Sequence, residues 1–232
     1  MVSHFRSSSI PFLIRRLGYE EILKQVFLSI NLTESEIESF FSGPAFLPWN
    51  RFGNIQGSWG NMTLPQTWLD HEFLLSQQVV QRMVDLGMTP VLPAFTGFVP
   101  DGIKRVDPDA NVVRGSEWNG FGTTYSNVTF LEPDDSLFGE LQTKLIGIQK
   151  TVYGDVSNVY TLDQYNENTP FSGDPGYLRN ISRDTMASLR NADPNAVWLM
   201  QALNHTLRSK YFRDGYFLIS NRSGLRIESK RT

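Results

Sequence analysis

Apolar positions recur at helical spacing over four stretches of the chain. Ile22, Leu23, Val26, Phe27 and Ile30 predict a helix over 17–30. Thr33-Glu34-Ser35-Glu36 then has the form of a capping box, in which the Thr33 hydroxyl accepts from the Glu36 backbone and the Glu36 carboxylate reaches back. Ile37, Phe40 and Phe41 follow, and Gly43-Pro44 ends that turn of helix. Val79, Val80, Met83 and Val84 predict a helix over 73–86, which stops at Gly87 and leads into the extended run 89–95. Leu137, Leu141, Leu145, Ile148 and Val152 predict another from about Ser136 to Gly154, leading into 158–165. Leu178, Ile181, Thr185 and Leu189 predict the fourth, over 176–190, leading into 196–200.

Three successive helix-then-strand units argue for a parallel sheet buried by helices. Doubly wound sheets and (β/α)8 barrels both satisfy that pattern, and three units alone do not close a barrel of eight. Long loops follow two of the strands, at 96–132 and 166–175. Loops at the C-terminal ends of parallel strands build active sites, so these two segments are where chemistry is expected.

Composition narrows the function classes. A net charge of -3 offers no electrostatic case for nucleic acid. No apolar run has the length of a membrane span. Cysteine is absent, which excludes disulfides, zinc–thiolate sites and thiol nucleophiles. The three His residues are scattered, so neither a metal ligand spacing nor a Ser/His triad emerges. Glycines between Gly53 and Gly60 lack the Lys-Ser/Thr of a phosphate loop, and Trp59 and Trp68 read as packing residues. Asn-x-Ser/Thr occurs at Asn31, Asn61, Asn127, Asn180, Asn204 and Asn221, where fifteen Asn would give about two by chance. That excess points to a glycoprotein, although 10–14 is too short for a signal-peptide core. Residues 202–232 carry seven Lys/Arg and two Asp/Glu, leaving -8 on 1–201, and show no period beyond a strand-like 216–219. This basic tail is read as foreign to the domain or disordered, with a basic interaction tail as the alternative.

The most informative chemistry is in Thr161-Leu162-Asp163-Gln164-Tyr165-Asn166-Glu167. A carboxylate beside an Asn at the end of a buried strand suits a glycosidase acid, which must face the cleft to protonate a departing glycosidic oxygen. An Asn-Glu pair by itself equally suits a helix cap or a solvated loop. Asp163, four residues earlier, would lie about 13 Å from Glu167 along a continuous strand. That is beyond the roughly 5–9.5 Å separating the carboxylates of glycosidases, so Asp163 supports the acid or is structural. Glu117, Asp134 and Asp135 are further carboxylates in or beside loops.

Three runs bring a family into view: 43–54 (GPAFLPWNRFGN), 87–95 (GMTPVLPAF) and Tyr165-Asn166-Glu167, together with the strand 196–201 (AVWLMQ). In this order, over about 17–201, the chain resembles the α-N-acetylglucosaminidase family, known for lysosomal heparan-sulfate enzymes in animals with relatives in fungi, plants and bacteria. The resemblance implies a (β/α)8 barrel, here an incomplete TIM-type barrel, and retaining hydrolysis of terminal α-linked N-acetylglucosamine without metal or organic cofactor. It implies Glu167 as general acid/base, Asn166 as its substrate-contacting neighbour, and Trp49 and Trp118 as walls of the sugar pocket. It implies a glycan partner and a secretory, vacuolar or lysosomal, or extracellular setting. Ala202-Leu203 stand where the family continues with Gly-Trp. No residue of this chain matches the family's nucleophilic Glu, nor its N-terminal domain and opening strand. The expected layout is an extension over 1–16, barrel over 17–201 and an unmatched tail over 202–232.

Overall fold

The computed structural model describes residues 18–58, 63–165 and 167–201, and the strand backbones at 216–220 and 226–229. Helix α1 spans Tyr19–Leu28 and buries Ile22, Leu23, Val26 and Phe27, the stripe its spacing predicts. Helix α2, Glu34–Phe40, begins at the capping box: Glu36 N donates to Thr33 Oγ1 at 3.3 Å, and Thr33 N donates to Glu36 Oε2 at 2.8 Å. A short helix α3, Leu47–Arg51, follows, then α4, Gln66–Asp85. Helix α4 starts seven residues before the predicted 73, because its first turns carry polar residues on an exposed face and give no apolar rhythm.

Strand β1 is only Leu92–Pro93. Pro90 and Pro93 have no amide hydrogen to donate to a ladder, which shortens the expected 89–95. The predicted loop 96–132 contains structure of its own: a one-turn helix α5, Ile103–Val106, and an antiparallel pair of strands, β2 (Val112–Arg114) and β3 (Thr129–Leu131). Helix α6 runs Ser136–Tyr153, capped by Asp135 accepting from Leu137 N. Strand β4 is Val159–Thr161, helix α7 is Pro175–Ala192, and β5 is Val197–Gln201.

The main sheet has the order β1-β4-β5, all parallel, with Tyr160 level with Leu92 on one side and Trp198 on the other. Strands β6 (Tyr216–Ser220) and β7 (Arg226–Ser229) extend it in antiparallel sense beyond β5. The tail therefore contributes two strands to the sheet, where the sequence showed a strand period only at 216–219. Helix α6 packs between α7 and α1, and α1 also meets α4. Under this layer Trp198, Tyr160, Leu141, Leu145 and Leu189 are buried, and Trp198 Nε1 donates to Leu162 O at 3.0 Å. A buried ion pair, Arg51 with Glu20, ties α3 to α1. Such a pair stands on its geometry, because desolvating two charges offsets most of their attraction.

Candidate active site

Parallel pairing brings the C-terminal ends of β1, β4 and β5 to one edge of the sheet, so the loops after β1 and β4 meet there. The chain leaves β4 at Thr161 and passes through Asp163, Gln164 and Tyr165 to Glu167. Strand alternation thus ends before Asp163, and the strand spacing expected between Asp163 and Glu167 does not apply. Asp163 is buried and lines a cavity of about 40 Å³ with Tyr19, Arg51, Ala94, Thr96 and Thr161. Asp163, 4% exposed, thus lies within the fold.

Glu167 is exposed. Trp118, 49 residues earlier on the loop after β1, donates its Nε1–H to Glu167 Oε2 at 3.0 Å. Trp118 is itself buried, stacked on Phe121 with centroids 5.4 Å apart and planes 12° off parallel. Trp49, half-buried on α3, meets Trp118 at 6.0 Å, and Phe46 bridges Trp49 and Phe121 at 6.0 and 6.2 Å. Four aromatic rings from two distant segments therefore form one cluster, and one of them, Trp118, bonds the Glu167 carboxylate. Offset and edge contacts of this kind each contribute about 0.5–1.5 kcal/mol beyond burial. Three of the four site residues expected from the sequence (Glu167, Trp118 and Trp49) are brought together. The fourth, Asn166, lies outside the described residues, as do Trp59, Asn61, Asn204 and Asn221.

Sequence reasoning missed the residues that hold the Glu167 loop. Asn168, buried, donates from Nδ2 to Phe52 O at 3.0 Å and accepts from Asn54 Nδ2 at 3.1 Å. Thr169 N donates to Ser116 Oγ at 3.3 Å, two residues from Trp118. The loop is thus attached to the 52–54 segment, just after the α3 helix that carries Trp49, and to Ser116, two residues before Trp118. Gly53 makes the first attachment possible: its φ of +68° is left-handed, and the ring of Phe98 occupies the place of a Cβ. Nothing in the spacing of Asn54 and Asn168 signals their contact, which spans 114 residues.

Another carboxyl, like that of Asp163, is buried. Glu132, just past β3, accepts from Tyr177 Oη at 2.7 Å, and burial raises its carboxyl above the usual range. Burial likewise pushes Tyr165 up to about 12, and its ring meets Phe130 at 5.9 Å. Of the remaining sequence candidates, Asp135 caps α6, Asp134 accepts from Asn111 Nδ2 at 3.0 Å, and Glu117 is exposed. Trp68 packs against the core. Among the described residues no cluster of His, Asp or Glu is placed to hold a metal ion, and no helix is long and apolar enough to cross a membrane.

Comparison with known proteins identifies the family of the chain. Residues 9–216 match the family described as "Alpha-N-acetylglucosaminidase (NAGLU) tim-barrel domain", a span wider at both ends than the 17–201 expected from the motifs. The chain is 37% identical over 184 residues to human alpha-N-acetylglucosaminidase, covering 79% of this chain and 24% of the human protein. Among solved structures it resembles the family 89 glycoside hydrolase of Clostridium perfringens in complex with PUGNAc, at TM-score 0.69 and 26% identity, over 80% of this chain and 21% of that one. A form of the Clostridium protein with two Glu→Gln substitutions, in complex with its substrate GlcNAc-alpha-1,4-galactose, matches at TM-score 0.71 and 25% identity, over 84% and 21% of the two chains. The chain spans about a quarter of the length of the human relative. It belongs to the α-N-acetylglucosaminidase family of glycoside hydrolases, through that family's TIM-barrel domain.

Proposed function

We propose that this chain carries the acid/base side of a retaining α-N-acetylglucosaminidase centre, with Glu167 as the acid. Glu167 gives its proton to the glycosidic oxygen as the bond to the anomeric carbon breaks. As carboxylate it then takes a proton from the water that releases the sugar. The observation that carries the assignment is the Trp118 hydrogen bond to Oε2, which anchors one oxygen of an otherwise exposed carboxylate beside the aromatic cluster. Trp49 and Trp118 wall the sugar pocket and Asn166 contacts the substrate. The two Glu→Gln substitutions in the substrate-bound Clostridium relative are in keeping with chemistry run by two glutamates.

Retention requires a second carboxylate about 5–5.5 Å from the first. No residue of this chain matches the family's nucleophile, so the chain is a binding and protonating half-site, and 17–201 is part of a barrel that these strands do not close. The six Asn-x-Ser/Thr patterns support a glycoprotein of the secretory route, destined for the vacuole or lysosome or for the outside of the cell. The test is an aryl α-N-acetylglucosaminide assay on the 232-residue chain, paired with tryptophan fluorescence titration by methyl α-N-acetylglucosaminide. The expected result is saturable binding, weakened by Trp49→Ala, with no turnover above the blank. Turnover abolished by Glu167→Ala would show that the nucleophile is present after all. Absence of any binding would remove the pocket.

A further inference from the structure

We infer that Phe171 forms a leaving-group subsite, a platform for the sugar that departs when the bond beside Glu167 breaks. This rests on the acid/base reading of Glu167. Among the large apolar side chains of the described residues Phe171 is the most exposed, at 65%. The other exposed ones, Leu28, Leu74, Leu75 and Leu86, belong to α1 and α4 or end them, whereas Phe171 stands in the loop after β4.

Its position is fixed from both sides. Between Glu167 and Phe171 the chain is held by the Asn168 and Thr169 hydrogen bonds, and Pro170 is buried. Behind the ring stands Tyr177, at 6.4 Å and 58°, whose hydroxyl donates to the buried Glu132. Tyr177 is in the first turn of α7, where its amide is capped by Asp174 at 2.9 Å. The result is an aromatic ring braced from behind and largely open to solvent, four residues beyond the carboxyl. Exposed single apolar residues are common and carry no meaning alone. A braced ring on the loop of the acid has a specific one.

A general acid must reach the bridging oxygen, so it stands at the junction of the two sugars. Trp118, bonded to Glu167, and Trp49 beside it take the retained ring in the proposed pocket. The loop running on from the acid then flanks the departing one. A pyranose presents a face of C–H groups that packs on an aromatic ring. Phenylalanine has no polar tip, so it reads the flat apolar face and not the hydroxyl pattern. The subsite should therefore accept more than one departing sugar.

The test uses the 232-residue chain, with methyl α-N-acetylglucosaminide and an α-linked N-acetylglucosaminyl disaccharide as titrants. An aromatic contact of about 1 kcal/mol corresponds to about fivefold in affinity. The disaccharide should therefore bind about fivefold tighter than the methyl glycoside. Phe171→Ala should bring the ratio to about one with methyl glycoside affinity unchanged, and Phe171→Tyr should keep the ratio. An unchanged ratio in Phe171→Ala overturns the inference, and so does equal weakening of both ligands. If the unsubstituted chain binds the methyl glycoside but shows no preference for the disaccharide, the subsite alone is refuted. If it binds neither, the sugar pocket fails and the subsite with it.

Discussion

The amide pair beneath the Glu167 loop can be weighed from its geometry. In Asn168→Ala the Asn54 Nδ2 donor, in a side chain with no exposure, and the Phe52 carbonyl each lose the partner described above. A buried polar group left without a partner costs about 1–3 kcal/mol. Asn54 Oδ1 already lacks a partner, so the side chain would become wholly unsatisfied. The buried Asn54 amide accounts for about 1–3 kcal/mol and the part-buried Phe52 carbonyl for less, so the expected loss is about 3 kcal/mol. With a urea dependence of about 2 kcal/mol per M, the unfolding midpoint should fall by about 1.5 M. Urea titration followed by far-ultraviolet circular dichroism measures it, for both single variants and for Asn54→Ala/Asn168→Ala. Because each residue is the other's partner, the double variant should lose about 1 kcal/mol less than the sum of the singles. Additivity to within about 0.5 kcal/mol would mean that the two amides do not interact, and the attachment of the loop would have to be sought elsewhere.

Two further outcomes follow from the surroundings of the site. Hydrogen bonds from Arg105 and from the Thr33 amide hold the Glu36 carboxyl down at about 2, below its ordinary 4.5. A depressed carboxyl stabilises the fold above its unfolded value and loses that contribution as pH falls towards about 2. The melting temperature advantage of the unsubstituted chain over Glu36→Gln should accordingly shrink between about pH 5 and about pH 2, and a gap independent of pH would contradict the assignment. Gly53→Ala would place a methyl group about 2 Å from the Phe98 ring in a left-handed backbone, whereas Gly120→Ala, at φ +72°, meets open space. The first should cost more than about 3 kcal/mol and the second about 1 kcal/mol, compared by the same urea titration.

What the sequence revealed was mostly local. The Thr33–Glu36 box lies within one turn, and both of its hydrogen bonds are present because every atom it needs is within four residues. The apolar residues of α6 repeat from Leu137 to Val152, and Leu137, Leu141 and Leu145 are buried as that rhythm requires. Strands β2 and β3 went unseen because three residues each are too few to show alternation, and their pairing is made across a glycine-rich excursion. Strand β1 is overstated by its apolar run, since proline cannot complete a ladder. The motifs singled out Trp49, Trp118 and Glu167 as expected site residues, in three separate segments of the chain. The hydrogen bond that joins two of them, the Asn54–Asn168 pair and the exposed Phe171 carry no periodic signal. Such contacts come from tertiary placement and are legible only in three dimensions.

The place of β4 in the sheet order has a consequence for how tolerant the Glu167 loop is of change. The strand that launches Glu167 is an inner one, bonded to β1 on one side and β5 on the other, while β6 and β7 lie outside β5. Variation in the tail is therefore felt first at the outer rim of the sheet, with β5 as a buffer between it and the register of β4.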